Sequence, residues 1–178
     1  MAAIYAKQGE YAEALLVYEK SKAVMIKARG HEDVLVAVLY NEMATVKEKQ
    51  GKYTDAMELH EKSLAIRNKM LGHDHVEVAT SYTGIAKIYQ AQGKLVEALE
   101  LHEKSKSIRI KALGHAHVDV AGSYNGIAKI YQAQGKLVEA LELHEKSKAI
   151  RIQTLEHDHE DVIKTSNLIA SIKKALGQ

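Results

Sequence analysis

Residues 78–119 read VATSYTGIAKIYQAQGKLVEALELHEKSKSIRIKALGHAHVD, and residues 120–161 read VAGSYNGIAKIYQAQGKLVEALELHEKSKAIRIQTLEHDHED. The two stretches differ at only 8 of 42 positions. Gly9, Gly51, Gly93, Gly135 and Gly177 carry the same spacing through the whole chain. Self-similarity at a fixed period of this length marks a solenoid or a propeller and outranks any local motif.

A propeller blade needs four short strands, whereas each repeat here holds two helical stretches. In residues 78–93, Tyr82, Ile85, Ala86 and Tyr89 recur at helical spacing. In residues 94–114, Leu95, Ala98, Leu99 and His102 do the same. Gly93 supplies a tight turn between the two and Gly114 a left-handed helix end. Glu97 and Glu139 sit in a first turn, favourable to the helix dipole. Glu100 with Lys104, and Glu142 with Lys146, are spaced as i,i+4 pairs. The chain contains no proline to interrupt a helix.

Composition narrows the function. Hydrophobic residues are 46% and charged residues 27% of the chain, as in ordinary folded domains. There is no cysteine, hence no thiol nucleophile, no thiolate ligand and no disulfide. That fits a reducing compartment, and a cytoplasmic, intracellular location is expected. A formal net charge of +2 is too mild to suggest nucleic-acid binding, and no apolar run is long enough for a membrane helix. No phosphate-cradling glycine loop and no serine elbow is found, so the chain is not expected to be an enzyme or to need a cofactor.

The run Tyr82-x2-Ile85-Ala86-x2-Tyr89-x3-Gly93-x4-Ala98 resembles the tetratricopeptide pattern, with tyrosine in the tryptophan slot and alanine in the glycine slot. The longer period, with Leu71-Gly72-x2-His75-x2-Val78-Ala79, is similar to the 42-residue variant of kinesin light chains and related adaptors. The sequence departs from that variant in places. Val76, Val118 and Glu160 stand where proline is usual, and the late aromatic of the second helix, kept as Tyr18, becomes His60, His102 and His144. No heptad coiled coil is expected ahead of the repeats. The resemblance implies an all-α, right-handed superhelical solenoid of helix-turn-helix repeats with about nine helices. It is expected to be a single array: a partial first repeat at 1–35, full repeats at 36–77, 78–119 and 120–161, and a capping helix within 162–178. Met1 aligns with Met43 and Ile85, so half of the first helix is expected to be missing. Ser166 and Lys173 replace two tyrosines, as suits a terminal cap.

The paired histidines His73 and His75, His115 and His117, and His157 and His159 look at first like metal ligands. A structural zinc site wants about four convergent ligands. Each junction offers two, followed by Glu77, Asp119 or Asp161 in the first turn of a helix. The pairs therefore read as helix entries, and no metal site is expected; adventitious surface binding of zinc or nickel stays open. His60, His102 and His144 occupy a packing slot. They read as neutral, hydrogen-bonded core residues or as a switch that weakens the array below about pH 6. Gly84 and Gly126, inside first helices, point to a close approach by a neighbouring helix or by a ligand.

The resemblance also implies a concave groove lined by set positions of the first helices. Its candidate contact residues are Asn41, Thr45, Lys49, Thr83, Lys87, Gln90, Asn125, Lys129, Gln132, Lys164, Asn167 and Ser171, with Val38, Glu48, Thr80, Ala91, Gly122, Ala133, Lys174 and Ala175 beside them. This set holds five lysines and one glutamate. The expected function is a protein–protein interaction module that binds an extended acidic peptide, with amides clamping its backbone. The partner is then a protein or peptide, with no nucleic acid and no membrane. The alternative is a structural scaffold that self-associates through its open N-terminal end.

Overall fold

A computed structural model describes residues 1–156 and 159–177. Among these residues the chain is all α-helical, with nine helices and no strand. They are α1 (Ala2–Gln8), α2 (Tyr11–Arg29), α3 (Val34–Lys49), α4 (Tyr53–Leu71), α5 (Val76–Ala91), α6 (Leu95–Leu113), α7 (Val118–Ala133), α8 (Leu137–Thr154) and α9 (Glu160–Ala175). Helices of 16 residues alternate with helices of 18 or 19 after the short α1. The first-type helices α3, α5, α7 and α9 begin two residues ahead of the repeat boundaries read from sequence, because a cap at the junction starts each one.

The turns explain the glycine period. After α3 and α7 the backbone runs through Gly51 and Gly135 at φ 73° and 75°. Lys52 N–H then reaches back to Lys47 O, and Lys136 N–H to Tyr131 O, both at 2.9 Å. That closure satisfies a terminal carbonyl with a left-handed residue that glycine adopts without strain. Gly114 differs from expectation. Its φ of 81° is positive, but ψ is 166°, so the backbone leaves α6 extended rather than in a left-handed turn. The Glu100–Lys104 and Glu142–Lys146 spacings form no ion pair among the described residues; Lys106 instead pairs with Glu103.

The chain forms two compact units, Met1–Ile88 and Tyr89–Gln178. In the first, α2 packs on α1 and α3, and α3 on α4. Its core joins Ala2, Ala14, Tyr18, Met43 and Val46. In the second, α7 packs on α6 and α8, and α8 on α9. Alanines with no exposed surface line both sets of helices: Ala44 and Ala56 in the first unit, Ala128 and Ala140 in the second. Such small side chains let two helix backbones approach closely. Enlarging one of them would overpack the contact at about 1–3 kcal/mol.

A polar lock joins α4 to α5, α6 to α7 and α8 to α9. In the first unit, Arg67 of α4 is buried and donates through Nη1 to Glu77 O at 3.0 Å and to Ser81 Oγ at 2.8 Å. Its Nη2 pairs with Glu77 Oε2 at 2.7 Å. In the second unit, Arg109 of α6 donates to Asp119 O and Ser123 Oγ of α7 at 3.4 and 2.9 Å. Arg151 of α8 donates to Asp161 O at 3.3 Å and to Thr165 Oγ1 of α9. Burial pulls each guanidinium's pKa down, and Glu77, Asp119 or Asp161 pulls it back up. Arginine remains charged under such opposed effects. Serines complete the arrangement: Ser63 donates to Ala37 O at 2.8 Å, and Ser147 to Ala121 O at 2.9 Å. At the first junction the equivalent positions are Met25 and Leu39, so both halves of the lock are apolar there.

Candidate peptide-binding face

The junction histidines have a defined task. His75, His117 and His159 accept a hydrogen bond through Nδ1 from the backbone N–H of Glu77, Asp119 and Asp161, at 3.2, 3.1 and 3.2 Å. This is the N-cap geometry, made by an imidazole in place of the usual hydroxyl or carboxylate. At the first junction Asp33 does the same, accepting from Leu35 N–H at 2.8 Å. The capped helices thereby present their first turns in a fixed direction. No cluster of three or more metal-ligating side chains occurs among the described residues. His157 lies outside those residues.

The buried histidines form the floor under the first-type helices. His60 is 1% exposed, with Nδ1 3.1 Å from Asn41 Oδ1 and Nε2 2.6 Å from Glu48 Oε1. His144 is fully buried, with Nε2 3.1 Å from Gln132 Oε1. Burial, together with the Lys129 and Arg151 cations, pulls the His144 pKa down to about 4. At Nε2 the two rings thus meet different partners, a carboxylate for His60 and an amide for His144. The Gly84 and Gly126 question resolves toward the neighbouring helix. A Cβ on Gly84 would lie 2.3 Å from His60 Cε1, and one on Gly126 would lie 2.7 Å from His102 Cε1. Each ring occupies the space the missing methyl leaves. Where glycine is replaced by Glu42, the preceding helix carries Tyr18 instead, and its hydroxyl donates to Glu42 Oε2 at 3.2 Å. Burial and the Glu42 carboxylate push the Tyr18 pKa up to about 12.

The twelve groove candidates fall into two sets. In the first unit, Thr45 and Lys49 are exposed and line a cavity of about 130 Å³ together with Lys7, Tyr18 and Glu42. Asn41 is engaged with His60, while Thr83 is half-buried and Lys87 exposed. In the second unit, Asn125, Lys129, Lys164, Asn167 and Ser171 converge on one open cavity of about 580 Å³. Gln132 is turned to His144, and Gln90 is half-buried at the end of α5. Asn125 Oδ1 is buried and has no hydrogen-bond partner. Sequence reasoning missed Arg151, Asp161 and Leu168 in the cavity wall. The 42-residue recurrence of Arg67, Arg109 and Arg151 was the signal available for the first. With Lys129, Lys164 and Arg151 against Asp161, the walls carry more positive than negative charge. Part of it is held internally, since Lys164 pairs with Glu160 at 2.5 Å.

The profile of the family described as tetratricopeptide repeat matches residues 1–69, 35–111, 77–151 and 119–178, four overlapping stretches that span the chain. The chain belongs to the tetratricopeptide repeat family. Among solved structures, it is similar to the kinesin light chain-type, nearly identical TPR-like repeats of Podosopora anserina. That match has 32% identity and a TM-score of 0.74 over 99% of this chain and 84% of the other. BtubC (BKLC) from P. vanneervenii shares the fold at a TM-score of 0.83 and 23% identity, over 99% and 70% of the two chains. The apo form of RapI shares it at 0.75 and 14% identity, over 99% of this chain and 47% of RapI. No curated protein sequence matches significantly. These tetratricopeptide repeats are of the kinesin light chain-like, 42-residue kind, and repeats of this family generally mediate protein–protein interaction or scaffolding. No helix among the described residues is long and apolar enough to cross a membrane.

Proposed function

We propose that the chain is an interaction module that binds an extended, acidic peptide segment on the first-type helix face. One observation carries this reading: five side chains from α7 and α9, those of Asn125, Lys129, Lys164, Asn167 and Ser171, converge on one cavity. Lys129 and Lys164 flank the same cavity and suit a carboxylate. Exposed charge contacts are individually weak, so several must act together, and their sum must fall with salt. The module therefore works by binding rather than by chemistry.

The test is fluorescence anisotropy of a labelled glutamate-rich peptide at about 50 mM and about 300 mM salt. Saturable binding that weakens with salt supports the reading; binding indifferent to salt rejects it. A structural scaffold is the second reading. The exposed Ile4 and Leu16 in the first unit, 56% and 57% accessible, favour it. Concentration-dependent growth in light scattering, removed by Ile4→Ser and Leu16→Ser, would establish the scaffold instead.

A further inference from the structure

The second unit has another opening, away from the proposed groove and independent of it. His115 and Ala116 of the α6–α7 junction, Tyr124 of α7, and Lys146, Ala149 and Ile150 of α8 line an open depression of about 330 Å³. Its lining is the Tyr124 ring, Ile150 and two alanine methyls, with the exposed His115 and Lys146 side chains beside them. Lys146 is exposed and makes no ion pair among the described residues. An open depression of this kind, mostly apolar with polar groups at its edge, has room for one aliphatic side chain.

The same place in the first unit is built differently. There Glu32, the counterpart of Ala116, reaches from the α2–α3 junction to Lys69 near the end of α4, at 2.5 and 2.6 Å. The bridge spans the gap between junction and second-type helix. The counterpart of Lys69 is Gln153, so both halves of the ion pair are replaced together in the later repeat. Asp74 and Asp158 occupy the Ala116 position at the other junctions, which leaves Ala116 as the one junction without an acid there. The Tyr124, Lys146 and Ile150 positions hold Tyr40, Lys62 and Ile66 in the first unit. What distinguishes the two places is the bridge.

We propose that this depression is a second docking site, for a protein segment that inserts one aliphatic side chain flanked by carboxylates. The aliphatic group fills the space between Tyr124, Ala149 and Ile150. The flanking carboxylate pairs with Lys146, which makes no ion pair among the described residues, and a lysine-flanked segment is repelled there. Lys106 lies 5.7 Å over the Tyr124 ring but is paired with Glu103, so the preference rests on Lys146.

The test uses the full chain with labelled alanine and isoleucine methyl groups, titrated with a short peptide of one leucine between glutamates. Two control peptides carry lysine in place of the glutamates, or glycine in place of the leucine. The expected result is saturable movement of the Ala116, Ala149 and Ile150 methyl signals with the first peptide alone. Ala116→Glu with Gln153→Lys rebuilds the bridge, and Lys146→Glu reverses the rim. Each is expected to raise Kd by about tenfold or more. The bridged variant should still bind the longer glutamate-rich peptide as the native chain does, which separates this site from the groove. Methyl signals that stay still, move equally with the lysine peptide, or respond unchanged in the bridged variant would overturn the proposal. So would movement with protein concentration alone, which would make the occupant a second copy of the chain.

Discussion

Replacing Arg109 by methionine and Ser123 by leucine would copy the Met25 and Leu39 pair into the α6–α7 contact, and the two changes should be strongly non-additive. Arg109 is 8% exposed and donates to Asp119 O and Ser123 Oγ. Removing it alone loses a charge-assisted hydrogen bond, about 1.5–3 kcal/mol, but also removes a buried cation whose desolvation is unfavourable. Ser123 keeps a partner, since its hydroxyl reaches Asp119 O at 3.2 Å. The net cost of Arg109→Met is therefore about 1–2 kcal/mol. Ser123→Leu alone drives a larger apolar group against a buried guanidinium and removes its best acceptor, costing about 3–5 kcal/mol. Simple addition gives about 4–7 kcal/mol, whereas an apolar pair of suitable volume should cost only about 1 kcal/mol. The expected coupling is thus about 3 kcal/mol or more in favour of the double variant. Urea denaturation of the four proteins measures it, with an unchanged m-value as the check that the same unfolding is compared. A double variant as unstable as the summed singles would refute the idea that these residues act as a matched lock.

Three further outcomes follow from single side chains. His144 has a folded pKa of about 4, below the ordinary value of 6.5. Its stabilising contribution is complete above about pH 6.5 and is lost as pH falls toward about 4, by about 3 kcal/mol in total. Stability–pH curves of the native chain and His144→Leu should diverge over that window, and parallel curves would contradict the assignment. Gly122 and Gly126 lie four residues apart on α7, yet alanine should act oppositely at the two. At Gly122 nothing lies within 4 Å of a new Cβ, so helix propensity raises stability by about 0.5–1 kcal/mol. At Gly126 the new Cβ meets His102 at 2.7 Å and the melting temperature should fall. His117→Ala should cost about 1 kcal/mol by loss of the cap, whereas His117→Asp, copying Asp33, should cost far less; equal losses in thermal melts would show that the ring is not acting as a cap.

The fold was legible because the repeat states each instruction several times. Tyr82, Ile85, Ala86 and Tyr89 mark a helix face, Gly93 marks the turn, and both recur at 42 residues. The junction histidines were readable as helix entries, though the sequence did not reveal that ring Nδ1 is the capping atom. Gly114 was misjudged because glycine allows both the left-handed and the extended positive-φ backbone, and only the following chain selects between them. The groove was less legible. Helical spacing identifies which residues share a face but not which spend their polar atoms on the floor, so Asn41 and Gln132 could not be seen as partners of His60 and His144. Arg151 escaped because a basic residue near a helix C-terminus reads as solvated until its acceptors on the next helix are known.

The central claim is that charge on the α7 and α9 face selects an acidic segment, and a charge swap tests it most directly. Lys129→Glu with Lys164→Glu would be titrated by fluorescence anisotropy with a glutamate-rich peptide and with a lysine-rich peptide of equal length. The account predicts that the native chain binds only the first, and that the double variant, melting at a similar temperature, loses it and gains the second. A variant that binds the glutamate-rich peptide as tightly as the native chain would contradict the account and remove the basic face from the function.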